Sequence, residues 1–158
     1  MRIEISSGSA DFTRRLGKDF SSVLLPGDLI MLSGDLGGGK TTFISGLAKG
    51  LGIKEDITSP SFTLINEYRY RQGRFVHADL YRLEGLQDIS DIGMDDYLYD
   101  ENSIVCIEWG NKLGGTLAKD HLNIDFAYEW NVENKRKIVF NSKNKYWDLK
   151  LERFEEII

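Results

Sequence analysis

At 158 residues, 41% hydrophobic and 28% charged, the chain has the size and balance expected of a single globular domain over 1–158, with no room in it for a second catalytic domain. A formal net charge of −5 sets its mean field against unaided binding of a polyanion. No window approaches the roughly 20 consecutive apolar residues of a membrane span, and the start MRIEISSGSADF has neither a basic nor an apolar leader region, so cytoplasmic residence is expected.

Arg2 to Ser6 alternates as a short strand, and Ser9 or Asp11 is placed to cap a helix carrying Phe12, Leu16 and Phe20 to about Val23. Pro26-Gly27 makes a turn. Asp28 to Leu32 is an apolar run too short for a helix, and it leads straight into Gly34, Gly37, Gly38 and Gly39. From Lys40 to Leu51 the residues Phe43, Ile44, Leu47, Ala48 and Leu51 share one helical face, with Gly52 as C-cap. Phe62 to Tyr70 and Phe75 to Asp79 read as strands joined by the turn Arg71-Gln-Gly-Arg74. Leu86 to Leu98 reads as one or two short acidic helices. Ser103 to Trp109 is a strand apolar enough to be buried on both faces. It carries Cys106, the sole cysteine, which reads as a small buried hydrophobe. Antiparallel strands are expected near His121 to Glu129 and Lys135 to Ser142. The basic run Asn134-Lys-Arg-Lys137 between them reads as a solvated hairpin turn rather than a nucleic-acid patch.

Gly34-Asp-Leu-Gly-Gly-Gly-Lys-Thr41 fits G-x-x-x-x-G-K-[ST], in which glycines let backbone N–H groups converge on phosphate oxygens. The helix beginning at Lys40 adds the positive end of its dipole, Lys40 can reach the β- and γ-phosphates, and the Thr41 hydroxyl can ligate magnesium. A strand before and a helix after supply the required context. The fold expected is therefore α/β: a P-loop NTPase-like three-layer domain with a mixed, partly parallel central sheet and an antiparallel C-terminal portion. Asp79 and Glu108 each end a hydrophobic strand, where a carboxylate can hold magnesium or orient water. His77, two residues before Asp79 and on the same strand face, is either a general base or a partner for nearby backbone. Thr58-Ser-Pro-Ser61 is either a loop that senses the γ-phosphate or a turn fixed by Pro60.

Four segments, Gly34 to Thr42, Thr58-Ser-Pro-Ser-Phe62, His77-Ala-Asp-Leu-Tyr-Arg82 and Ile107-Glu-Trp109, resemble in order and spacing the bacterial TsaE ATPases, which take part in threonylcarbamoyladenosine modification of tRNA next to the anticodon. The resemblance implies that Gly37, Gly38, Gly39, Lys40, Thr41 and Thr42 hold ATP, that Thr41 and Glu108 ligate magnesium with Asp79 in support, and that Trp109 lines the nucleotide pocket. Lys40, Asp79 and Glu108 are the catalytic candidates. Thr13 and Arg136 fall where the family is similar to further nucleotide-contacting positions. Departures from the family are Gly38 in place of alanine, Ser61 in place of threonine and Ala78 in place of an aromatic residue, and the match weakens after Gly110. The resemblance also implies partnership with TsaD and TsaB, with tRNA reached indirectly through that complex.

The expected activity is a magnesium-dependent ATPase that is slow in isolation, because no arginine finger is evident beyond the candidate Arg82. A small-molecule kinase is the alternative, although no mobile basic lid is visible. A GTP switch would need Asn-Lys-x-Asp, and Asn111-Lys-Leu-Gly114 lacks the aspartate.

Overall fold

Alternating apolar patterns resolve into β1 (Arg2–Ser7), α1 (Ala10–Phe20), β2 (Leu29–Gly34), α2 (Lys40–Gly50), β3 (Ile65–Tyr70), β4 (Gly73–Asp79), α3 (Leu86–Asp91), α4 (Met94–Leu98), β5 (Ser103–Glu108), β6 (Leu122–Tyr128), β7 (Arg136–Asn141) and α5 (Lys145–Glu155). Short 3₁₀ segments follow α1 at Ser21–Val23 and β5 at Gly110–Thr116. These come from a computed structural model that describes residues 1–60, 62–117, 119–129 and 135–158.

The strands form one seven-stranded sheet in the order β1-β7-β6-β2-β5-β4-β3. β5 is buried at every position and β2 over Leu29–Leu32, as their uninterrupted apolar sequence requires of strands covered on both faces. β6, β2, β5 and β4 run parallel, with Leu32 opposite Ile124 and Glu108, and Asp79 opposite Glu108. β1, β7 and β3 are antiparallel to their neighbours. The β6–β7 hairpin is thus antiparallel as expected, while the inner edge of β6 lies parallel on β2. Because β5 is inserted between β2 and β4, the carboxyl ends of all three meet at one edge, bringing Gly34, Asp79 and Glu108 together.

Helices cover both faces. Leu16 and Phe20 of α1, Phe43, Ile44 and Leu47 of α2, and Trp147, Leu151 and Phe154 of α5 pack on Ile30, Leu32, Phe126 and Phe140 of the sheet. On the other face Ile89, Met94, Leu98 and Leu113 cover Leu29, Met31, Val76, Val105 and Ile107. α1 lies so close to α2 that a Cβ on Gly46 would stand 2.0 Å from the Arg14 carbonyl oxygen. That approach fixes where the N-terminus of α2 points.

The elements differ from the sequence reading in a few places. Ser9, not Asp11, caps α1, its Oγ accepting from Phe12 N–H at 3.1 Å. Residues 62–64 form a turn rather than strand, because Leu64 takes a left-handed φ of 65° and its N–H donates to the Pro60 carbonyl at 2.9 Å. Trp109 also leaves the strand, with φ 60°. α5 was not anticipated, although Trp147, Leu151 and Phe154 recur at helical spacing behind the Asn144 cap. Cys106 is fully buried, as expected. Part of the basic turn, Asn134, lies outside the described residues, as does Ser61. Arg136 and Lys137 are strand residues, Lys137 paired with Glu4 at 2.6 Å.

Candidate functional site

The loop between β2 and α2 is shaped by its first glycine. Gly34 has φ +116°, and a Cβ there would lie 1.8 Å from the Phe126 carbonyl oxygen, so only glycine lets the loop leave β2 against β6. Asp35 N–H then donates to that same oxygen at 3.2 Å. The loop opens directly into α2, whose first residues are Lys40 and Thr41, so the helix N-terminus and its free N–H groups face the loop's concavity.

Lys40 is 4% exposed. Its Nζ donates to the carbonyls of Gly34 and Asp35, each at 2.8 Å, and sits 4.6 Å from the centre of the Trp109 ring. Burial pushes this ammonium below its ordinary range, against the pull of the Glu108, Asp79 and Asp35 carboxylates. Thr41 Oγ1 donates to Glu108 Oε1 at 2.7 Å, and Ser59 Oγ donates to Asp79 Oδ2 at 3.1 Å. The other oxygen of Asp79 accepts Tyr81 N–H at 2.9 Å. Lys40, Thr41, Asp79 and Glu108 therefore arrive from three separate stretches of chain at one cavity of about 410 Å³, which Gly37, Gly38, Gly39, Thr42, Ser59, Tyr81, Arg82 and Trp109 also line.

The donor set suits magnesium. A hydroxyl and a carboxylate in contact, with a second carboxylate on the neighbouring strand, provide only hard oxygen atoms beside a backbone cradle, and this ion takes one or two carboxylates plus phosphate and water oxygens. Thr41 and Glu108 would be the holding pair.

Neither Thr13 nor Arg136 is among the residues that line this cavity. Thr13 is buried behind the loop, its methyl 3.6 Å from where a Cβ of Gly39 would be, and its hydroxyl is shared with Ser7 Oγ at 2.7 Å. Arg136 stacks at 4.1 Å on Tyr128, whose hydroxyl donates to the Leu36 carbonyl at 2.8 Å. Tyr128, which braces the loop from outside, had no signal in the sequence, since it is an ordinary residue at the end of β6. Lys112 was likewise missed as a site residue. Its Nζ donates to the carbonyls of Tyr81 and Leu83 at 2.5 and 2.9 Å, and Tyr81 in turn packs on Trp109 with ring centres 5.1 Å apart.

The open alternatives of the sequence reading resolve differently. His77 bonds neither backbone nor cavity: it is fully buried, and its Nε2 lies 2.8 Å from Glu108 Oε1. Among the described residues its Nδ1 finds no partner, a cost of about 1–3 kcal/mol for a buried polar atom. In the Thr58–Pro60 stretch the Pro60 carbonyl accepts Leu64 N–H at 2.9 Å and Ser59 lines the cavity. Arg82 lines the cavity with its guanidinium 4.6 Å over the ring of Phe62, which is 85% exposed.

Comparison with known proteins adds a family. Residues 7–138 match the model for TsaE, threonylcarbamoyl adenosine biosynthesis protein. The chain is 43% identical over 113 residues to the tRNA threonylcarbamoyladenosine biosynthesis protein TsaE of Treponema pallidum, covering 72% of this chain and 82% of that one. It is 33% identical to the protein of the same name from Bacillus subtilis, covering 87% and 84%. The crystal structure of Bacillus subtilis YdiB superposes with a TM-score of 0.83 at 27% identity, covering 99% of this chain and 95% of that one.

Proposed function

The chain belongs to the TsaE family of tRNA threonylcarbamoyladenosine biosynthesis, and from that premise we propose that it is a cytoplasmic, magnesium-dependent ATPase whose cycle of ATP binding and hydrolysis acts on a complex of TsaB and TsaD. The observation that supports this best is the convergence of Lys40, Thr41, Asp79 and Glu108 on the glycine-loop cavity.

In this reading Lys40 exchanges the two loop carbonyls it now holds for the β- and γ-phosphate oxygens of ATP. Two ion–dipole contacts give way to ion–ion ones at a largely buried ammonium. Backbone N–H groups of 37–42 at the start of α2 take the remaining phosphate oxygens. Thr41 and Glu108 would hold magnesium with Asp79 beside them, and the ion would neutralise phosphate charge as the terminal bond breaks. Asp79 or Glu108 orients the attacking water. The Ser59 loop, tied to Asp79, closes over the γ-phosphate and reopens after hydrolysis. Among the described residues Arg82 is the one further cation lining the cavity, and its guanidinium is stacked on Phe62, so turnover is slow until a partner repositions it. The acidic balance of −5 suits a protein that reaches tRNA through partners and not by its own surface.

Steady-state hydrolysis of magnesium-ATP, measured alone and with added TsaB and TsaD, tests this. The expected result is slow basal turnover, stimulation by the pair, and loss of both in Lys40→Ala by at least about 100-fold. Turnover that survives in Lys40→Ala would overturn the assignment of the site, and indifference to TsaB and TsaD would overturn the partner-driven cycle.

A further inference from the structure

Two hydrogen bonds converge on a single oxygen of Glu108. Thr41 Oγ1 donates to Oε1 at 2.7 Å, and His77 Nε2 meets the same atom at 2.8 Å. An ionised carboxylate only accepts, so Nε2 carries the proton in this contact. Among the described residues no donor reaches Oε2, and Glu108 lines the cavity. The two oxygens thus have different tasks: one is bound to protein and the other is left for whatever enters.

His77 pairs opposite Cys106 on β5 and Asn66 on β3, in the middle of the sheet, and its ring is fully buried. Among the described residues its Nδ1 has no partner, which is an unfavourable arrangement that an apolar side chain of similar size would avoid. A proton on Nε2 and a bare lone pair on Nδ1 is the tautomer that costs least here, since an unmatched acceptor is better tolerated than an unmatched N–H. The contact that remains, with Glu108, gives the buried ring its polar role.

We propose that His77 is a positioning residue for the magnesium site: by donating from Nε2 to Glu108 Oε1 it locks the carboxylate rotamer and leaves Oε2 for the cavity. The proposal rests on the nucleotide reading above. The Thr41 hydroxyl keeps two lone pairs while it donates to Oε1, so it can turn one to an arriving ion without giving up that hydrogen bond. The His77 bond is the second support of Glu108, and the one made by a fully buried side chain. Outer hydrogen bonds of this kind typically change metal affinity by about 10–100-fold when lost.

Three measurements test it. Two-bond ¹H–¹⁵N NMR of the nucleotide-free protein, which has only His77 and His121 to assign, should show His77 as the Nε2–H tautomer; an Nδ1–H tautomer would overturn the proposal. ADP binding is then measured in EDTA, followed by titration of magnesium chloride into the ADP complex. His77→Leu should raise the half-saturating magnesium concentration by about tenfold or more and leave metal-free ADP affinity unchanged. His77→Gln, which can place an amide donor near Nε2, should lie much closer to the wild type. A folded Leu variant with unchanged magnesium dependence, equal losses in Leu and Gln, or a parallel loss of metal-free ADP binding would each overturn it. Failure of the wild type to bind ADP at all would instead sink the nucleotide reading, and the magnesium role of His77 with it, whatever the tautomer.

Discussion

The two edges of the parallel sheet each bury a lysine, and they treat it in opposite ways. At the carboxyl edge Lys40 is held only by loop carbonyls and the Trp109 face, with no carboxylate at ion-pair distance among the described residues. At the amino edge Lys150 of α5 meets Asp28 at 2.5 Å, and Asp28 also accepts Leu25 N–H at 2.8 Å and the Tyr146 hydroxyl at 2.7 Å. Burial pushes both ammonium groups down from their ordinary range, and for Lys150 the adjacent Asp28 pulls back. The same edge carries a second closed cluster, in which Asp100 accepts from Ser103 Oγ and Asn102 N–H and pairs with Arg74. At the amino edge Asp28 and Asp100 are closed by internal donors, although the buried Lys119 Nζ beside them has no partner among the described residues; at the carboxyl edge the charge of Lys40 rests on exchangeable carbonyls, as the proposed nucleotide site requires.

The largest effects should separate the edges outright. Asp28→Ala strands a buried ammonium and is expected to lower unfolding free energy by about 3–5 kcal/mol in urea melts, while nucleotide affinity of the folded protein is kept. Lys40→Ala should do the reverse, destroying turnover with stability changed by about 1 kcal/mol or less. A loss of nucleotide binding in folded Asp28→Ala would break the division.

Within the amino edge the ion pair should be asymmetric. Lys150→Met leaves Asp28 with its tyrosine and backbone donors, so its cost should be about 1–2 kcal/mol, well under that of Asp28→Ala. Equal costs would mean that those donors contribute nothing.

The smallest effect is one of pH. The Ser103 hydroxyl first, then Asn102 N–H and Arg74, hold the Asp100 carboxyl down at about 2, against 3.8 for the free group. A depressed carboxylate contributes stability in full above its unfolded value and loses it as pH falls through the folded one. Asp100→Asn should therefore be less stable than wild type near neutrality, with the gap closing between about pH 4 and 2 in acid melts followed by circular dichroism. A gap that persists at pH 2 would assign the difference to packing.

Local patterning made one edge readable. The glycines, Lys40 and Thr41 lie within a single turn of chain, so their spacing alone specifies a backbone cradle opening a helix. Asp79 and Glu108 could be named because each ends an apolar strand. Nothing local announces the other edge: Asp28 and Lys150 are 122 positions apart, and α5, which brings them together, is marked in the sequence only by the helical spacing of Trp147, Leu151 and Phe154.

By itself, then, the amino-acid sequence determined the glycine loop that opens α2, the order of strands and helices as far as β7 and the placing of Asp79 and Glu108 at strand ends. Each of these follows from short-range periodicity and backbone sterics. Tertiary structure alone decided which groups those residues meet. His77 reaches Glu108, Ser59 reaches Asp79 and Tyr128 braces Leu36 only because β5 is inserted between β2 and β4 and β6 lies on the far side of β2. Strand order is set by how the two apolar faces of the sheet find helices to cover them, a collective property of packing that no spacing along the chain records.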